Sequence, residues 1–132
     1  MEVADLFLLA TVLNIVAIGL FQFMPYTARE LAEPAGLTNV DEASLKTPAA
    51  SARLAATYLK GLLDMFDGQL APAASAYNAG EDLTAIWWKA HKSAGPDMFA
   101  EMIPYAETRG YVREVVANYE TYKRLYPTPP AR

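Results

Sequence analysis

Apolar residues recur at helical spacing along most of this chain. Leu54, Tyr58, Leu62 and Phe66 stand four residues apart, Leu59 and Leu63 widen the stripe, and Arg53, Lys60 and Asp64 take the opposite face. Thr47-Pro48 supplies a start for that helix, with Thr as N-cap and Pro in the first position, and Asp67-Gly68 supplies its end. A short alanine-rich helix is expected from Leu70 to Asn78, with Pro72 tolerated in its first turn. Glu81-Asp82 opens the next helix with acids at the positive end of its dipole. Its expected stripe is Leu83, Ile86, Trp87 and, at its end, His91. Ser93-Ala94-Gly95-Pro96 closes it, 97–103 reads as a short helix or turn, and Pro104 interrupts. A long helix from about Thr108 to Tyr126 follows, its apolar face being Tyr111, Val112, Val115, Val116, Tyr119 and Tyr122. Upstream, an apolar helix is expected over about 4–16 and a short one from Pro25 or Thr27 to Ala32. No useful β-alternation and no internal repeat occurs. The pattern predicts an all-α domain of about six to seven helices.

Composition narrows this further. With 132 residues, 53% of them hydrophobic, the chain can bury one substantial core. The net charge of -4 argues against a nucleic-acid surface, which would be basic. There is no cysteine, hence no disulfide framework or thiol chemistry. One histidine, His91, builds neither a His-rich metal site nor a His pair, so no metal or cofactor is expected. Residues 6–21 are nearly long enough to span a membrane, yet they contain Asn14, run into Gln22 and lack a basic leader, Glu2 and Asp5 standing there instead. A buried helix is the preferred reading. A membrane or export segment, and an accident of where the chain begins, are the alternatives.

The candidate chemistry centres on Ser75-Ala76-Tyr77-Asn78-Ala79-Gly80. The surrounding alanines let other backbone approach, Tyr77 offers a phenol, Asn78 an amide, and Gly80 the left-handed conformation that ends a helix. Gly19-Leu20-Phe21-Gln22-Phe23-Met24-Pro25 lies upstream, and Ile103-Pro104-Tyr105-Ala106-Glu107-Thr108-Arg109-Gly110-Tyr111-Val112 downstream. In this order the three stretches resemble the signatures of the soluble lytic transglycosylase family, over about 17–126. Residues 1–16 then form an atypical N-terminal helix and 127–132 a frayed Pro-rich tail.

The resemblance implies a lysozyme-like helical fold, a peptidoglycan glycan strand as partner, and a place in the bacterial cell envelope. It implies cleavage of the bond between N-acetylmuramic acid and N-acetylglucosamine, closing a 1,6-anhydro ring. Carried over by position, Gln22, Met24, Tyr77, Asn78, Glu107 and Tyr111 are the substrate-binding candidates. For Met24 and Tyr111 a core role is equally open, and Glu107 has the alternatives of capping the last helix or pairing with Arg109 or Arg113.

The family's catalytic glutamate, in a Glu-Ser pair before the first signature, has no counterpart; that region reads Leu9-Ala10-Thr11-Val12-Leu13-Asn14. Glu2 and Glu107 remain as acids, with Asp5 beside Glu2. The competing readings are a chain whose first helix is truncated or altered, an inactive glycan-binding descendant, recruitment of Glu2 or Asp5, and Glu107 acting alone. Trp87-Trp88 suggests sugar stacking, but adjacent helical residues diverge by about 100°, so only one is expected to face the core.

Overall fold

The computed structural model describes residues 48–127, together with the turn residues Pro34 and Gly36. The expected helices over 4–16 and 25–32, and the tail beyond Pro127, lie outside the described residues. The chain divides into two compact units, Met1–Lys60 and Gly61–Arg132. All regular structure among the described residues is helical: α1 Pro48–Met65, α2 Leu70–Ala79, α3 Glu81–His91, a 3-10 turn Lys92–Ala94, α4 Pro96–Glu101 and α5 Ala106–Leu125. The all-α expectation holds, and these boundaries fall close to those read from the breakers.

Helix α1 begins at Pro48, where the missing N–H costs nothing. Its stripe is buried as expected at Leu54, Leu59, Leu62, Leu63 and Phe66, with Tyr58 half-buried. Asp67 and Gly68, with φ of 58° and 73°, reverse the chain, and the Gly68 N–H donates to the Leu63 carbonyl at 2.7 Å. That left-handed pair closes the helix by satisfying one of its end carbonyls.

In the second unit α2 is the central element. It packs against α5, α3 and α4. Alanine makes this arrangement feasible: Ala73 and Ala74 are fully buried and Ala71 and Ala76 nearly so, which lets three neighbours surround a ten-residue helix. Ser75 and Thr84, both fully buried, share a hydroxyl hydrogen bond of 2.9 Å between α2 and α3. Each polar group thereby satisfies the other inside the core.

Helix α3 departs from its expected stripe. Its buried residues are Thr84, Trp87 and Trp88, whereas Leu83 is 36% and Ile86 65% exposed. The two tryptophans carry more apolar area than Leu and Ile, and burying both turns the helix toward them. Trp88 meets Phe99 edge-on at 5.2 Å and donates from Nε1 to Asp67 Oδ2 at 3.3 Å. Trp87 meets Tyr105 at 5.1 Å. The expectation that only one Trp faces the core is corrected: both are buried, with edge-on aromatic partners, and neither is free for sugar stacking. His91 ends the helix half-buried.

Candidate functional site

The site is built from two helix ends. Helix α2 starts without a side-chain cap at Gln69, and four of its first five residues are the good helix formers Leu and Ala, with Pro72 tolerated in the first turn. It stops at Gly80, whose φ of 97° and ψ of 156° fall in a region essentially reserved for glycine, and not in the left-handed helical region expected from the sequence. Gly80 serves both neighbours. Its N–H donates to the Ala76 carbonyl at 2.8 Å, and its carbonyl accepts from the Thr84 N–H at 3.3 Å. Tyr77 and Asn78 therefore occupy the final turn, half-buried.

The second contributor is the start of α5. Ile103 is a buried anchor at 1% exposure, and its carbonyl accepts from the Arg109 guanidinium at 2.9 Å. Pro104 follows, and Glu107 and Thr108 form the first turn. Thr108, 2% exposed, donates from Oγ1 to Asn78 Oδ1 at 2.8 Å. Two stretches 30 residues apart in sequence thus meet through one short bond.

One turn further along α5, Tyr111 is buried, and its hydroxyl has no hydrogen-bond partner among the described residues. Burial pushes its phenol above the usual tyrosine range, with the nearby Tyr77 and then Glu114 adding to the effect. Burial raises Tyr77 too. Both phenols therefore stay protonated at neutral pH.

Glu107 is exposed at the positive end of α5, an arrangement that suits a carboxylate. The alternative of pairing with Arg109 or Arg113 gives way to other partners: Arg109 binds the Ile103 carbonyl, and Arg113 binds Glu101. That guanidinium holds the Glu101 carboxyl below the usual range. Tyr77, Asn78 and Tyr111 come together, with Glu107 on the adjoining exposed turn. Gln22, Met24 and Glu2 lie outside the described residues. No metal-holding cluster occurs among the described residues.

Residues 9–99 match the family model of the transglycosylase SLT domain. The chain belongs to the transglycosylase SLT family. It is 32% identical over 114 residues to the soluble lytic murein transglycosylase of Escherichia coli (strain K12), and 34% identical over 114 residues to that of Salmonella typhimurium. Each alignment takes in 83% of this chain and 17% of the relative, so the chain spans about a sixth of those proteins. A solved structure of an inactive glutamate-to-glutamine mutant of lytic transglycosylase Slt from Pseudomonas aeruginosa is also similar. Its TM-score is 0.73 at 33% identity, over 82% of this chain and 18% of that one. The SLT-domain fold expected from the three signatures is thus shown.

Sequence reasoning did not single out Thr108 within this candidate site. The signal was present: Thr108 precedes Tyr111, Val112, Val115 and Tyr119 at helical spacing, which places its hydroxyl on the buried face.

Proposed function

We propose that this SLT domain binds bacterial peptidoglycan and cleaves its glycan strand between N-acetylmuramic acid and N-acetylglucosamine. In this reading a carboxylic acid protonates the leaving glycosidic oxygen and the bond to the muramic C1 breaks. The C6 hydroxyl of the muramic residue closes on C1 and returns its proton to the same carboxylate. The product is a 1,6-anhydro sugar and no water is consumed. The work takes place in the cell envelope, where that polymer lies.

The observation that carries the reading is the joining of Tyr77-Asn78 to the Glu107-Thr108 turn within a chain of this family. The names of the relatives, murein transglycosylases, support the same substrate class. Half-buried amides and phenols suit glycan, whose hydroxyl and acetamido groups both donate and accept. Gln22 and Met24 are assigned here, from the signature they occupy, as further substrate contacts. The candidate acids are Glu107 and Glu2. Glu107 is exposed, whereas general acids commonly sit in an apolar pocket. Glu2 has only its position near the start of the chain in its favour.

Mass spectrometry of products from purified peptidoglycan tests the proposal. Anhydro-muropeptides are expected, and Glu2→Gln and Glu107→Gln then locate the acid. Products that carry an added water would replace this mechanism with hydrolysis. No product from a chain that still binds glycan would establish a binding domain without its acid.

A further inference from the structure

We propose that Thr108 is a positioning residue that fixes the side-chain amide of Asn78 with its oxygen inward, so that the Asn78 NH2 is the group offered to the glycan. The inference rests on the glycan reading above and adds to it a residue and a polarity.

The two ends of an Asn amide have nearly the same shape, so their orientation is decided by hydrogen-bond partners. Here the inward partner is a hydroxyl 2.8 Å away at 2% exposure, where no bulk water competes. Thr108 stands in the first turn of α5, whose free N–H groups make that end positive. The amide dipole is favoured with its oxygen toward such an end. The opposite flip would face the NH2 toward that positive end and force Thr108 to accept instead of donate. With Oδ1 engaged, the remaining capacity of half-buried Asn78 is its two N–H donors. A donor pair selects an oxygen acceptor, and among glycan groups the acetamido carbonyl is the strongest neutral one. Thr108 touches no sugar in this arrangement and acts through Asn78.

The 132-residue chain and its variants are tested with a soluble oligosaccharide of alternating N-acetylglucosamine and N-acetylmuramic acid, by calorimetry and by thermal unfolding. Thr108→Val removes the hydroxyl at nearly constant volume and is expected to lower affinity roughly tenfold, the size of one neutral hydrogen bond. Thr108→Ser restores it. Asn78→Asp keeps an acceptor for Thr108 but has no donor. It is expected to fold with an unchanged thermal midpoint and to bind as weakly as Thr108→Val, and the double variant to be no weaker than either single one. This split between affinity and midpoint is what a merely structural role would not produce. Undiminished binding by Asn78→Asp, or by a folded Thr108→Val, overturns the proposal. If the starting chain binds no oligosaccharide, the glycan reading fails, and the NH2 resonances of Asn78 decide this one separately. They are expected to move in Thr108→Val and to stay in place in Thr108→Ser, whereas identical resonances in Thr108→Val would overturn it.

Discussion

Tyr111 has a buried hydroxyl without a hydrogen-bond partner among the described residues. An unpaired buried hydroxyl loses its hydration and gains nothing in return. Tyr111→Phe should therefore leave stability unchanged or raise it by up to about 1 kcal/mol, read from the urea midpoint at constant m-value. A clear loss would mean that the hydroxyl is hydrogen-bonded in solution. The same residue sets a pH response. Its folded phenol titrates above the ordinary value of 10.0, as does that of Tyr77. An unfolded chain then releases protons first, so the stability these groups contribute is present below about pH 10 and is lost as pH rises through their folded values. Urea midpoints should be flat on the neutral side and fall above about pH 10, less steeply in Tyr111→Phe. Gly80 makes a backbone prediction. A Cβ there meets nothing within 4 Å, so Gly80→Ala tests φ alone. With φ at 97° it should cost about 1–3 kcal/mol.

Among the elements, α2 depends on smallness. Ala73 and Ala74 have no exposed surface, so Ala74→Leu should overpack its contacts and cost about 1–3 kcal/mol in chemical unfolding. The Ser75–Thr84 bond permits a cleaner test between α2 and α3. Ser75→Ala alone strands the Thr84 hydroxyl and should cost about 1–3 kcal/mol, while Ser75→Ala with Thr84→Val removes both polar groups and should recover most of it. Additive losses would show that the hydroxyls do not satisfy each other. The Glu101–Arg113 pair joining α4 to α5 is a weaker link. Both side chains are about half exposed, at 52% and 55%, so solvent and salt screen it. Any difference between Glu101→Gln and the starting chain should vanish in high salt.

At the scale of the molecule, the three signatures, the helix breakers and the apolar spacing were enough for the all-α class, the SLT fold, and the limits of α1, α2, α4 and α5 to within a few residues. The reason is local: proline cannot continue a helix from inside, Asp67-Gly68 and Gly80 adopt conformations other residues resist, and a four-residue repeat aligns one face. Among the described residues no helix is long and apolar enough to cross a membrane, while the apolar stretch 6–21 lies outside them. What spacing could not decide was which of two faces wins when both are apolar. On α3 the stripe Leu83, Ile86 and Trp87 looked continuous, yet Phe99, Tyr105 and Asp67 gather around the adjacent tryptophans and leave Leu83 and Ile86 at the surface. Nor could sequence pair Asn78 with Thr108, because a bond across 30 residues depends on how α2 meets α5. Sequence alone determined the family, the described helices and the residue types that stand in the signatures. Tertiary structure alone decided which tryptophan faces are covered, that Glu107 stands in water, and that the Asn78 amide is held by the Thr108 hydroxyl. Those outcomes depend on the partner each side chain meets, and periodicity carries no information about partners.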